Sequence, residues 1–379
     1  MLAKEIITNA FIEIFNHQPD IHITAPGRVN LIGEHTDYNQ GFVFPVAINF
    51  GTQIIARKRD DDLVRVIAAD YEYELSEFEL NNIESVDYPS WSNYIRGVLT
   101  VLCEQYPQIR GADLLVNGDV PQGAGLSSSA SFEVAVVKAF NELFELEITG
   151  VSAALISQKA ENEFVGCSCG IMDQLISALG KKGQAMLLDC ETLTYVHSKI
   201  DDHYRLLIIN SNVKRGLVES EYNARRKQCE MAAKIIGVSS LRYATMPLLE
   251  EYKEILGNLI YSRAKHIVTE NERTLAMFSA LKNKENSEIS GLMRSSHESM
   301  RDDFEITTPE IDYLVALIDE KLQGQGGVRM TGGGFGGCVV ALVPANLVDE
   351  IIACVEQSYQ NQTGLKESIY VCTAEQGAF

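Results

Sequence analysis

The chain is short of positive charge, of closely spaced cysteines and of long apolar runs, and each shortage closes off a class of protein. Lysine and arginine number 32 against 52 aspartates and glutamates, a formal net charge of −20. A field of that sign repels phosphate backbones and anionic lipid surfaces, so neither nucleic acid nor a membrane is expected as a partner. No stretch approaches the roughly 18 apolar residues that a membrane span requires. The opening residues carry Glu5 and Glu13 and put Ile7, Phe11, Ile14 and Phe15 on one face. That pattern predicts a helix rather than a secretory signal, and a cytoplasmic location. The eight cysteines are scattered, and Cys167-Ser168-Cys169 has the wrong spacing for a C-x-x-C redox or zinc motif. Reduced, mostly buried thiols are expected. There is no tandem repeat or low-complexity tract, and 379 residues that are 46% hydrophobic and 22% charged imply a folded protein of two domains.

What is present is concentrated in glycine-rich loops. Leu114, Leu115 and Val116 read as a short buried strand, broken by Asn117-Gly118-Asp119 and Pro121. Gly123, Ala124, Gly125, Leu126, Ser127, Ser128 and Ser129 follow, and then Phe132, Ala135, Val136, Ala139 and Phe140 at helical spacing. Strand, small-residue loop and helix in that order suit a phosphate cradle. Glycines allow close backbone approach, and the unpaired N–H groups of a first helical turn favour an anion. A serine hydroxyl there could also ligate magnesium carried by a nucleotide. The same residues would equally suit a plain turn and helix cap. With no lysine after the second glycine, the loop is not of the G-x-x-x-x-G-K-[ST] kind.

Residues 21–57 alternate between extended runs and polar loops. His22 to Ala25 reads as a strand, Pro26-Gly27 as a turn, Arg28 to Ile32 as a strand and Phe42 to Ile48 as another. Between the last two lies Glu34 to Gly41, denser in carboxylate, imidazole and hydroxyl groups than a hairpin needs. Helices are expected over residues 151–165 and 171–179, the second with Asp173 in its first turn. Strands are expected over 186–188 and 204–210, and helices over 264–281 and 310–321. The pattern changes near residue 190, dividing the chain into domains 1–195 and 196–379. A further cluster, Gly332 to Gly337, literally satisfies G-x-G-x-x-G. It precedes the β-like run Cys338 to Val343 instead of a helix, so it reads as a glycine loop entering a strand and not as a dinucleotide fingerprint.

Three separated segments carry a family resemblance: Gly27 to Asn39, Pro121 to Ser131 and Met330 to Gly337. The first resembles the galactokinase signature; the other two resemble the second and third motifs of the wider GHMP group of small-molecule kinases. The similarity runs from about residue 20 almost to the C-terminus and includes Phe164 to Gln174 and Ser220 to Asn223. It implies an α+β, two-domain architecture, with an N-terminal domain like the second domain of ribosomal protein S5, a ferredoxin-like C-terminal domain and the active site between them. It also implies transfer of the γ-phosphoryl group of ATP to the anomeric hydroxyl of α-D-galactose; separately, the sequence offers no obvious dimer seam, and a monomer is expected. By the same resemblance Asp173 would be the base and Arg28 the transition-state stabiliser. Glu34, His35, Thr36, Asp37 and Tyr222 would bind the sugar, Gly123 to Ser129 would hold ATP, and Ser129 with Glu161 would ligate Mg2+.

Phosphoryl transfer demands mainly positioning and charge neutralisation, which a glycine loop, a metal and an arginine supply. A carboxylate beside the sugar hydroxyl can accept its proton, and carboxylates such as Glu34 and Asp37 penalise epimers that leave them unpaired. Taken singly, Asp173 would also serve as a helix-dipole partner, Arg28 as a structural ion-pair residue, Glu161 as a solvated helix residue and Tyr222 as a packing residue. His35 is given no proton-transfer role. Two readings remain beside galactose phosphorylation: a kinase for a related hexose such as N-acetylgalactosamine, and a non-catalytic sensor of galactose and ATP.

Overall fold

The computed structural model describes residues 2–121, 123–167, 169–214 and 218–379. Gln122 in the glycine loop and Ser168 between the two cysteines lie outside the described residues. The first half of the chain is built on a five-stranded sheet. Its strands are β1 (Ile21–Asn30), β3 (Pro45–Lys58), β4 (Leu63–Ala68), β5 (Glu74–Glu79) and β6 (Ala112–Gly118), in the order β1-β3-β6-β4-β5. Only β4 and β6 pair in parallel. Alternation along the strands gives the sheet two apolar faces. Ile55, Ile67 and Leu115 pack beneath α1 (Lys4–Phe15), whereas Ile54, Ala56, Val64, Val66 and Leu114 face the helices on the other side. Those helices are α2 (Ser92–Gln105), α3 (Ser128–Phe144), α4 (Gly150–Ala160) and α5 (Met172–Leu179). Helix α4 continues into one π-helical turn, Glu161–Val165.

The second half carries a four-stranded antiparallel sheet of β9 (Tyr204–Asn210), β10 (Gly327–Thr331), β11 (Cys338–Pro344) and β12 (Ser368–Cys372), ordered β10-β11-β9-β12. Helices α6 (Val218–Ile236), α7 (Met246–Glu251), α8 (Lys253–Asn283), α9 (Asn286–Asp302) and α10 (Pro309–Leu322) join β9 to β10. Helix α11 (Val348–Thr363) joins β11 to β12. Strand–helix–strand–strand–helix–strand with that spatial order is the ferredoxin-like arrangement. A small sheet joins β2 (Phe42–Val43), from between β1 and β3, to β7 (Gln184–Asp189) and β8 (Tyr195–Lys199), which lie between the two larger sheets in sequence. The halves share one apolar core: Val29, Leu31, Phe44 and Ile48 pack with Leu206, Ile208, Val340 and Leu342. The last residues return to the first half, where the N–H groups of Gly377 and Phe379 donate to the carbonyls of Gly180 and Ala178.

Four local expectations are corrected. Pro26-Gly27 is not a turn: β1 runs through it with a register shift between Pro26 and Arg28. Gly27 is needed because a Cβ there would stand 2.6 Å from the Leu126 carbonyl oxygen. The strand expected over 42–48 is split, with β3 running on to Lys58. Ile14 is exposed at 38%, because the stripe that packs in its helix centres on Ile7, Phe11 and Phe15. Finally, all eight cysteines are thiols, but only Cys229, Cys338 and Cys372 are buried.

Candidate active site

The polar loop after β1 lies where the two halves meet, and its side chains turn into a cavity of about 150 Å³. Arg28, Glu34, His35 and Asp37 line it from the first segment, Asp173 from the first turn of α5, Tyr222 from α6, and Gly332 and Gly333 from the loop after β10. Cys169, Gly170 and Met172 complete the wall. Arg28 and Asp173, 145 residues apart, form a bidentate pair: Nε donates to Oδ1 and Nη2 to Oδ2, both at 2.8 Å. Charge-assisted pairs of this shape fix geometry as well as supply energy. Arg28 Nη1 also donates to the Gly125 carbonyl at 2.5 Å, and the Ser127 hydroxyl donates to Asp173 Oδ2. The glycine loop is thereby tied to the same two charged groups.

Glu34 is almost wholly satisfied by the protein. Its carboxylate accepts from Asn30 Nδ2 at 2.5 Å, Thr331 Oγ1 at 3.0 Å and the Gly332 N–H at 2.6 Å, with Arg329 at 3.5 Å. His35 adopts φ 62° and packs its ring between Tyr222 and Phe304, centroids 5.0 and 4.9 Å away. Burial, with His266, Arg225 and Arg329 nearby, pushes its pKa down to about 3, so the imidazole is neutral at physiological pH. Burial pushes the Asp37 carboxyl up to about 6, and neighbouring Asp173 and Glu34 add to the shift. Gly170 is required beside it, because a Cβ there would overlap Asp37 Oδ2 at 1.8 Å. Thr36 stands apart from the other members of its segment. Its hydroxyl lies 2.9 Å from the Gly33 carbonyl oxygen and 2.6 Å from that of Phe42, so the side chain braces the loop behind the cavity.

A second concavity of about 370 Å³ opens on the far side of the glycine loop. Gly123, Ser128 and Ser129 form one wall, and Tyr71, Trp91, Tyr94 and Phe132 supply aromatic surface. Tyr71 and Trp91 stack with rings 18° from parallel. Gly123 and Gly125 take φ of 70° and 74°, and Ser127 takes 62°, so the chain coils tightly before α3 starts at Ser128. Ala124 and Leu126 are buried and anchor the loop, the Leu126 carbonyl accepting from the Arg28 N–H at 3.1 Å. Phe132 shows in the sequence only as a residue of a helix face and the other three carry no signal; the four come from the turn after β4, the start of α2 and the start of α3.

Behind the loop, Glu161 is 6% exposed and is not a solvated helix residue. Burial raises its pKa, and its side chain lies within hydrogen-bond reach of Ser129 and of Glu133, itself fully buried. Gln174 Nε2 donates to Glu161 at 2.7 Å, while Glu133 Oε1 and Gln174 Oε1 have no hydrogen-bond partner. Hydroxyl and carboxylate oxygens with unsatisfied polar neighbours are a donor set suited to Mg2+. Among the described residues no group of three or more His, Cys, Asp or Glu side chains could hold a metal by itself.

Residues 93–181 match the GHMP kinases N terminal domain and residues 277–361 the GHMP kinases C terminal, so the fold is that of a GHMP kinase. Mevalonate kinase of Methanococcus jannaschii shares the fold at 19% identity, with a TM-score of 0.67 over 94% of this chain and 98% of that one. Residues 9–58 match the galactokinase galactose-binding signature. The structure of Lactococcus lactis galactokinase complexed with galactose is similar over 99% of both chains, at 35% identity and a TM-score of 0.93. The chain belongs to the galactokinase family.

Proposed function

We propose that this protein phosphorylates the anomeric hydroxyl of α-D-galactose with ATP, giving galactose 1-phosphate and ADP. The observation that carries the reading is the Arg28–Asp173 pair, set between a small polar cavity and a glycine loop. The sugar occupies the cavity, with Glu34, His35, Asp37 and Tyr222 around its hydroxyls and Thr36 holding the loop. The adenine base stacks in the aromatic concavity and the phosphates run along Gly123 to Ser129 toward Asp173. Two halves, 1–195 and 196–379, thus each supply part of one site. We take the protein to be a monomer.

A carboxylate has about four lone-pair positions. Three on Asp173 are taken by Arg28 and Ser127. The remaining one accepts the proton of the sugar hydroxyl as its oxygen bonds to the γ-phosphorus and the bridging oxygen leaves with ADP. Arg28 balances charge on the phosphoryl oxygens and fixes the orientation of Asp173. Neutral His35 donates or accepts hydrogen bonds without transferring a proton. Ser129 and Glu161 are the residues that would hold Mg2+, which when bound neutralises phosphate charge.

Incubation of the purified protein with Mg-ATP and galactose, glucose, N-acetylgalactosamine or mevalonate tests the reading by direct detection of product. Galactose 1-phosphate is the expected dominant product. Dominant phosphorylation of another compound overturns the sugar assignment, and binding of both ligands without any product favours a sensor.

A further inference from the structure

The loop that carries Glu34, His35 and Asp37 is moulded from behind by a helix that contributes nothing to the cavity wall. Glu270, on α8, is fully buried. Its Oε1 accepts from the Gly33 N–H at 3.0 Å, the Glu34 N–H at 3.4 Å and the Ser296 hydroxyl at 2.7 Å. Its Oε2 accepts from Arg273 Nε at 2.7 Å. One residue on, Asn271 Oδ1 accepts from the Phe42 N–H at 2.9 Å, at the other end of the same loop. One turn back, His266 Nε2 lies 3.2 Å from the Glu34 carbonyl oxygen. The fit is close at both ends: a Cβ on Gly33 would meet Thr274 Oγ1 at 3.1 Å, and one on Gly41 would meet Asn271 Oδ1 at 2.2 Å.

We infer that Glu270 and Asn271 are positioning residues for sugar recognition, acting through the backbone of residues 33–42 to hold Glu34, His35 and Asp37 against the hexose. A buried carboxylate is costly unless it is paired and fully hydrogen-bonded. Here Arg273 pairs with one oxygen, and two of the three donors to the other are loop amides. Much of what the fold spends on burying Glu270 therefore goes into shaping this loop. Among the described residues no part of α8 lines the aromatic concavity, so the two substrates should respond differently to its alteration. The inference rests on galactose being the occupant of the cavity.

Calorimetric titration of Glu270→Gln and Asn271→Ala with galactose and separately with Mg-ATP provides the test. A neutral amide weakens the charge-assisted bonds to the loop and sets an NH2 group against either Arg273 or the amides. Galactose affinity should fall about tenfold in Glu270→Gln and about three- to fivefold in Asn271→Ala, with Mg-ATP affinity held within about twofold. The kcat/KM ratio of galactose to glucose should fall in both. If Glu270→Gln does not fold, Ser296→Ala, which removes one donor to the same oxygen, takes its place, with a smaller loss in the same direction. Folded variants with unchanged galactose affinity, or with equal losses for both ligands, overturn the inference. Wild-type protein that binds no galactose overturns the sugar reading and the inference with it, whereas galactose-binding wild type beside unaffected variants overturns the inference alone.

Discussion

The two concavities on either side of the glycine loop are built on opposite principles. The one beside Asp173 is small, polar and pre-satisfied. Glu34 accepts from three donors in the protein, Arg28 and Asp173 lock each other, and the loop is pinned at both ends. The one beside Ser128 and Ser129 is more than twice as large and is walled by Tyr71, Trp91, Tyr94 and Phe132. Fixed acceptors discriminate among hydroxyl epimers, because a misplaced hydroxyl leaves a buried group unpaired. An aromatic slot gains affinity from area and stacking, with little demand on exact hydrogen bonding. On the proposed reading, with the sugar in the polar cavity and the base in the aromatic one, the molecule separates selectivity from holding power, and Arg28 with Asp173 stands at the boundary.

Breaking the boundary should have the largest effect. Asp173→Asn is expected to lower kcat by about 10²–10⁴-fold while calorimetry still shows both substrates binding. Full activity would remove Asp173 from its role. Arg28→Ala should cost about 10²–10³-fold in kcat. Because Arg28 also orients Asp173, the double variant should lose little more than Asp173→Asn alone, which steady-state rates on all three proteins would reveal.

The aromatic side is the next place to sharpen the contrast. Tyr71→Ala and Trp91→Ala should each raise KM for ATP by about tenfold, the scale of a lost base-stacking contact, and leave KM for galactose unchanged. A rise in the galactose KM instead would mean that the two regions are not independent.

The smallest expected effect is on pH dependence. The folded Asp37 carboxyl titrates at about 6, above its ordinary value of 3.8. Protonation therefore favours the fold: this contribution to stability is complete below about pH 3.8 and is lost as pH rises through about 6. Binding runs the other way, since ionised Asp37 accepts from sugar hydroxyls, and galactose affinity should weaken below about pH 6. The difference in melting temperature between wild type and Asp37→Asn, followed from pH 4 to 8, should shift across that window. A difference that stays constant would place the Asp37 titration elsewhere.

The polar side was far more legible in the sequence than the aromatic one. Glu34 to Asp37, Gly123 to Ser129 and Asp173 lie in compact segments whose residue types are unusual for plain loops, so their chemistry shows without coordinates. Tyr71, Trp91 and Phe132 sit in three different elements, each aromatic looking like ordinary core material. Taken singly, without the resemblance that made it an Mg2+ ligand, Glu161 would equally suit a solvated helix residue because its local context is polar, yet α3 and α5 close over it through Glu133 and Gln174. The Pro26-Gly27 dipeptide read as a turn because its local preference is one; the close approach of the Leu126 carbonyl keeps it in β1.

By itself the sequence determined the strands and helices flanking the three glycine-rich and polar loops, those loops themselves and the family to which they belong. Backbone preference, side-chain period and loop composition are local properties written in consecutive residues. Only the tertiary structure decided that Arg28 grips Asp173 from 145 residues away, and that Glu34 is saturated by Thr331 and Gly332. It also decided that a helix outside the cavity holds the sugar loop at both ends. These are contacts between distant segments, selected by how the two halves pack their shared core and by the need of every buried polar group for a partner.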